Sequence, residues 1–579
     1  MPRWQLKSDQ LAPSIQATVQ KKQWHWLIIV LWMVPLLLVG FFNLDQQSLM
    51  AHDEGLYARR ARVILDMGDW IHPWATPHHK TPGPYWLLAT SMTMLGKHEV
   101  AVRLPSVLAS FICGLLTYGI GRRLMSPTAA LLGSLSLAVA PLWLQYSRLA
   151  TPDIVFTSLV LLAVWLLLKT QDSAPFSRPW LRFFAGMSLG LSVLVRSALA
   201  ALPIFCLLPY FCLSGRRHLK SLFFYAGICV GLLPTAGWLW LCWQRYGMAI
   251  LHSLGNFPVT QGLSTTRAKS GLFYIFNLLL NDFLWSLFAF GALMLLMLPL
   301  IKEQLQGRFK GRAKGQVSSL KTIQTPQISL LMAYPVLYIG CLSLASTKLP
   351  HYALPAYPWL ALLTGYAMDQ LLQTRWQADY RRWINKISHV FNGGLLLIGS
   401  ILTVAALLAF SGVLPSTIRP YAPIALGLGL AWVGASLIWF RRHTWLPWLT
   451  LLLLGHWLSL TLAWGTIGLG NVNPELKALL IAPNLQPILQ TETIGFSPGM
   501  DSKLKTLLRF YTPHPGAALN SLEQLAAEQE LDIRQPGYSP FIHDYLWIEE
   551  HELGTLPHAY QVLGNVKNTY LIRLQTDEK

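Results

Sequence analysis

Long apolar runs, separated by short polar stretches, dominate the chain. Thirteen of them lie near residues 24–42, 100–121, 128–146, 153–168, 183–196, 198–213, 222–244, 272–301, 328–346, 350–372, 389–411, 420–440 and 445–468. A bilayer core takes roughly 20 apolar residues per helix. The pattern therefore predicts an all-α polytopic membrane protein with about 13 transmembrane helices. The fifth and sixth runs are short and meet at Arg196, so they can also be read as one kinked span. Charge decides between the two. With a cytoplasmic N-terminus and every run crossing, more than half of the 45 Lys and Arg fall in inside segments, as the positive-inside rule requires. Merging the two runs would carry basic loops outside, so thirteen are kept.

This parity sets the domains. Residues 1–23 form a cytoplasmic tail and 24–469 the transmembrane domain, with a long first outer loop at 43–99. Residues 470–579 form an extracytoplasmic domain. The run Trp24–Phe42 is too long for a signal-peptide core and no A-x-A-like site follows it, so it is expected to stay as an anchor. The shorter outer loops are 147–152, 245–271 and 347–350. In the first loop, Leu56, Val63, Ile64 and Met67 share one helical face, with Arg59, Arg62 and Asp66 away from it. Such amphipathic helices are expected to lie along the membrane surface. In the tail, acids outnumber Lys and Arg by 13 to 8. Ser521-Leu522-Glu523-Gln524 is a capping box opening a helix through Glu530. Thr491–Ser497, Tyr545–Ile548 and Tyr570–Leu574 read as strands, which makes the tail a small α/β soluble domain.

Composition supports this reading. The chain is 53% hydrophobic and 12% charged, against about 25% charged in ordinary soluble chains. Disorder, collagen and disulfide scaffolds are excluded. Its 24 Trp suit interfacial belts. The net charge of +19 reads as a topology signal and not as a nucleic-acid footprint. All six Cys fall in apolar stretches without metal-site spacing and read as buried hydrophobes.

Polar groups in so apolar a chain need explaining, and they cluster in the outer segments. In Ala51-His52-Asp53-Glu54-Gly55-Leu56-Tyr57, two acids stand at the mouth of a helix; Asp53 reads as a catalytic acid or as an N-cap. In His78-His79-Lys80-Thr81-Pro82-Gly83-Pro84, Lys80 is placed to hold an anion or to anchor the loop at the interface. Adjacent imidazoles on extended chain point opposite ways, so His79 alone is a candidate ligand for a divalent metal ion beside Asp53. Arg148 and Asp153 flank one span junction. Arg196 needs a buried partner, and Asp153 is the candidate, as a structural or a catalytic pair. In Ser346-Thr347-Lys348-Leu349-Pro350-His351-Tyr352, three outer groups, Lys348, His351 and Tyr352, make an anion site at a proline-broken helix start.

These stretches carry a resemblance. AHDEGLYARRARVILDMGDWIHP, HKTPGPYW, AVRLPS, SRLATPD and STKLPHYALPAYP resemble, in order and spacing, the GT-C fold bacterial membrane glycosyltransferases related to the aminoarabinose transferase of lipid A and to protein O-mannosyltransferases. The resemblance spans most of residues 24–470; Leu508-Arg509-Phe510-Tyr511 is a weaker similarity in the tail. It implies transfer of a sugar from a polyprenyl-phosphate donor to a lipid, glycan or protein acceptor at the outer face of the cytoplasmic membrane. It implies Asp53 as catalytic acid with Glu54 beside it, Asp153 as the second acidic position, and Lys80, Lys348 and Tyr352 at the carrier phosphate. Tyr57, His351 and Arg196 support them. Departures exist: the aminoarabinose transferases carry Glu-Lys-Pro where this chain has His79-Lys80-Thr81-Pro82, arginine where it has Leu56 and lysine where it has Arg196. These leave the sugar, the acceptor and any metal open.

Read as chemistry, a phosphate leaving group calls for cations: Lys80, Lys348, and Arg148 or Arg267. An acceptor hydroxyl calls for a base, Asp53. One direct displacement would invert the anomeric centre, and the donor's lipid needs an apolar groove among membrane lipids. A transporter or lipid flippase is the alternative; it would favour inverted repeats, which the chain lacks. A receptor-like module whose tail binds a partner is the third reading.

Overall fold

The computed structural model describes residues 40–51, 53–74, 76–263, 269–309, 328–373, 378–442, 445–463, 473–519, 544–556 and 559–575. The first apolar run up to residue 39 and the capping box at Ser521 lie outside these residues, as does Arg267.

Seven described helices are long and apolar enough to cross a bilayer. Pro127–Ala138 and Pro141–Ser147 add a pair bent by 66°. The bend falls where Pro141 opens the second piece, because proline has no N–H to continue the ladder. Phe283–Met297 and Ser329–Leu344 are shorter apolar helices.

The stretch 178–213 bears on the fifth and sixth runs. Its first helix, Arg178–Arg196, stops at Ser197, whose φ is 51°. That helix packs on Leu222–Tyr246 through glycines four apart on each side. A Cβ at Gly186 would sit 2.1 Å from the Phe224 carbonyl oxygen, and one at Gly227 would sit 1.9 Å from that of Phe183. Only glycine permits this backbone approach, the small-xxx-small device of membrane helices. Gly190 meets Gly231 in the same register, so contact positions rise together along both helices and the two run parallel. The chain between them must therefore return to its starting side, through Ala198–Leu213.

Outside the spans, the Glu54–Met67 and Gly83–Leu95 helices of the first loop pack under the tail. Tyr57, Ala61, Ile64, Tyr85 and Ala101 share one apolar cluster with Leu476, Phe496, Leu507, Leu508 and Trp547. These loop helices therefore bury one face against the tail. Arg62, placed on the solvent face by periodicity, is 4% exposed and donates to the carbonyls of Phe510 and Pro513.

The tail is α/β, as expected. Its strands are β1 (Thr493–Phe496), β2 (His514–Ala518), β3 (Tyr545–Glu549), β4 (Tyr560–Val566) and β5 (Thr569–Leu574). The sheet order is β2-β1-β3-β5-β4, with β1 parallel to β2 and β3, and β5 antiparallel to β3 and β4. The helix Ser502–Tyr511 follows β1 and is capped by Asp501 accepting from the Leu504 amide. β2 and β4 escaped the sequence reading, as did the Ala249–Leu263 helix within the stretch 245–271.

Candidate active site

The chain reaches Asp53 through an irregular loop, and irregular backbone must have its polar groups satisfied. Arg103, from the Glu99–Leu124 helix, meets much of that need. Its guanidinium donates to the carbonyls of Leu44 (2.6 Å), Gln47 (3.0 Å) and Ser48 (3.0 Å). It also grips Glu54 at 2.7 and 2.8 Å. Glu54 is fully buried and accepts in addition from the amides of Met50 and Ala150. Glu54, which the resemblance sets beside the catalytic acid, is thus engaged in holding the loop and does not line the cavity.

Asp53 behaves differently. It precedes the helix with φ −86° and ψ −63° and makes no capping hydrogen bond. A cap has β-region geometry and a bond to the helix's first amides, so capping does not account for Asp53. Its side chain lines a cavity instead.

The Lys80 segment is seated on the end of the Arg178–Arg196 helix. The Thr81 amide donates to Ser197 Oγ at 3.1 Å, and the Thr81 hydroxyl bonds Val193 O at 3.2 Å and Ser197 Oγ at 2.9 Å. Lys80 Nζ donates to the Tyr57 hydroxyl at 3.1 Å and lies 4.7 Å from the centre of that ring. Burial lowers its pKa. Burial likewise raises that of Tyr57, whose ring stacks on Tyr85 at 5.3 Å.

From the other side come Asp153, in the first turn of Pro152–Lys169, and Arg196. They form an ion pair, and the Arg196 guanidinium lies 5.5 Å from the Tyr352 ring centre. His351 Nδ1 is 2.9 Å from the Tyr146 hydroxyl.

One cavity of about 270 Å³ gathers these groups. Asp53, Tyr57, His79, Lys80, Asp153, Arg196, His351 and Tyr352 all line it. So do Tyr146, Thr81, Thr151 and Ser197, which sequence reasoning passed over. Tyr146 and Ser197 each adjoin a motif that was singled out, but they sit at the ends of apolar runs and carry no charge to mark them. Ala198, Leu199 and Leu342 give the cavity an apolar wall.

Two cations expected at the phosphate do not line it. Arg148 is buried and donates to the carbonyls of Gly40 and Phe42. Lys348 is 4% exposed and donates to the carbonyls of Lys269 (3.0 Å) and Ala345. Both brace loop backbone, because the carbonyls there need donors and these side chains are within reach.

The paired histidines also depart from expectation. The chain bends at this point, so the rings do not point opposite ways but meet edge to face at 4.6 Å. Arg60 donates to the His78 ring at 2.7 Å. Among the described residues no three His, Cys, Asp or Glu side chains converge as a metal site. The divalent ion considered with His79 finds no such ligand set among them.

Both rings resist protonation. Burial first, then nearby cations, depresses His78 from 6.5 to about 2 and His79 from 6.5 to about 4. The unfolded chain then binds protons that the folded chain refuses once the pH drops below 6.5. Stability should accordingly fall on acidification from pH 6.5 towards 4. Thermal unfolding of purified protein should show this, with a shallower fall in His78→Gln. A melting temperature flat over that range would contradict it.

Residues 79–241 match the family model for dolichyl-phosphate-mannose-protein mannosyltransferases. The chain is 26% identical over 444 residues to undecaprenyl phosphate-α-4-amino-4-deoxy-L-arabinose arabinosyl transferase 1 of Pseudomonas fluorescens, covering 71% of this chain and 72% of that one. A protein of Aquifex aeolicus without assigned function is 23% identical over 406 residues, 68% of this chain and 72% of its own. Among solved structures, ArnT from Cupriavidus metallidurans in the apo state superposes with a TM-score of 0.70 at 20% identity, over 94% of this chain and 97% of that one. The same protein bound to undecaprenyl phosphate gives 0.69 at 19% identity, over 95% and 98%.

The chain is thus a multi-span membrane glycosyltransferase of the GT-C fold. In sequence it is similar to the aminoarabinose transferases and, over residues 79–241, to the protein mannosyltransferases.

Proposed function

We propose that this cavity moves a sugar from a polyprenyl-phosphate donor to a lipid, glycan or protein acceptor, at the outer face of the cytoplasmic membrane. The observation that carries the reading is one cavity holding a carboxylate without a capping role, Asp53, together with the cations Lys80 and Arg196. The carrier class follows from the relatives: several are named for an undecaprenyl-phosphate sugar, and the similar fold of ArnT is known with undecaprenyl phosphate bound.

The transfer is a single inverting displacement. Asp53 takes the proton of the acceptor hydroxyl as its oxygen bonds to the anomeric carbon. The bond from that carbon to the phosphate oxygen breaks, and its electron pair leaves with the polyprenyl phosphate. Negative charge grows on the leaving phosphate, so a fixed cation favours the transition state over the ground state. Arg196 is partly neutralised by Asp153. Lys80, whose ammonium form burial disfavours, is favoured in that form by a phosphate beside it. The wall of Ala198, Leu199 and Leu342 suits the start of the lipid.

Purified protein should consume a polyprenyl-phosphate sugar and release polyprenyl phosphate. Lys80→Met removes one charge-assisted contact of about 1.5–3 kcal/mol, so carrier binding should weaken roughly 10–150-fold. Lys348→Met should leave carrier binding unchanged and lower thermal stability instead, since it strips the donor from the carbonyls of Lys269 and Ala345. Equal carrier binding by Lys80→Met and wild type would move the phosphate elsewhere.

A further inference from the structure

We infer that the tail domain belongs to the catalytic apparatus, with Tyr511 acting as a positioning residue for Asp53. The inference rests on the reading of Asp53 as the base.

Arg103 satisfies carbonyls of the loop that carries Asp53, but that loop also has amides to satisfy. The Leu49 amide, four residues before Asp53, donates to the Tyr511 hydroxyl at 2.8 Å. The same hydroxyl donates to Glu99 Oε1 at 3.1 Å. A phenol has one proton to give and lone pairs to receive with, so one Tyr511 rotamer serves both bonds. Glu99 is also held by Lys477, again from the tail, at 2.5 Å. One tail side chain therefore ties the Asp53 loop to the start of the Glu99–Leu124 helix.

The tie has a firm base. Arg62 of the loop helix donates to Phe510 O and Pro513 O, on either side of Tyr511. Leu507 lies over Gly55, where an added Cβ would be 3.1 Å from its Cδ1. The two parts share one apolar cluster. A domain hung on a linker has a smaller and more polar interface, and moves. Here a shift of the tail carries Leu49, and with it Asp53. Misplacing a reacting group by about 1 Å can cost about 10²-fold in rate.

The test uses the full-length protein. Tyr511→Phe keeps the ring and removes the hydroxyl. Expected is a kcat lower by about 10–100-fold, with unchanged binding of polyprenyl phosphate. Amide exchange in segment 44–54 should quicken about 2–10-fold for the lost hydrogen bond, while segment 545–549 of β3 stays protected. Wild-type kcat would overturn the inference, as would equal quickening in both segments, which means a loosened tail only. Lys477→Met breaks the second tail contact without touching Leu49, so it should change kcat less than about fivefold. A loss as deep as that of Tyr511→Phe would point to docking at large rather than to the Leu49 anchor. Asp53→Asn separates the two levels of the argument. If it turns over normally, the base is misassigned whatever Tyr511→Phe does. If it is inactive while Tyr511→Phe is fully active, only the role of the tail fails.

Discussion

Asp53→Asn should lower turnover by about 10²–10⁴-fold, the usual worth of a positioned general base, while leaving membrane insertion and melting unchanged. The asparagine keeps the shape of the side chain, and Asp53 makes no capping bond to lose. Binding of the sugar-free carrier should also persist, because Lys80 and Arg196 remain in the cavity. The expected signature is a fall in kcat at little change in carrier affinity, which marks an interaction made only as the reaction proceeds. Single-turnover donor consumption by purified Asp53→Asn measures it. Turnover within a fewfold of wild type would remove Asp53 from the chemistry and leave Asp153 as the remaining carboxylate of the cavity.

The spans were legible because hydropathy reports burial in lipid directly. Pro152–Lys169, Leu222–Tyr246 and Trp445–Leu462 each begin within two residues of the apolar run that announced them. The cavity was legible in part, since polar and charged groups clustered in so apolar a chain call for partners or a task. Asp53, Lys80, Asp153 and Tyr352 come from four distant segments and still meet. Other features needed partners that lie far along the chain. Periodicity put Arg62 in solvent because nothing local reveals that the carbonyls of Phe510 and Pro513 come to rest on it. Lys348 read as an anion grip, yet it answers backbone carbonyls at Lys269 and Ala345; a lysine that braces a loop and one that binds phosphate look alike in one dimension. β4 was missed because its first residues are exposed, so it lacks the apolar alternation that marks a half-buried strand.

The neighbouring acids show the same limit most sharply. Asp53 and Glu54 are adjacent, but a helix turns by about 100° per residue, and the turn sends one to the cavity and the other to Arg103. Glu54→Gln should therefore act on folding and not on chemistry. The glutamine matches the shape, but it leaves the Arg103 guanidinium, only 3% exposed, without its counter-charge. Breaking a buried pair from one side costs about 3–5 kcal/mol. Three loop carbonyls hang on the same guanidinium, so the damage should reach residues 44–48. The protein should insert poorly and melt much earlier. Molecules that do fold should keep a kcat far above that of Asp53→Asn. Measuring melting and turnover on the same purified Glu54→Gln sample tells the two roles apart. A stable protein with kcat as low as that of Asp53→Asn would return Glu54 to the reaction.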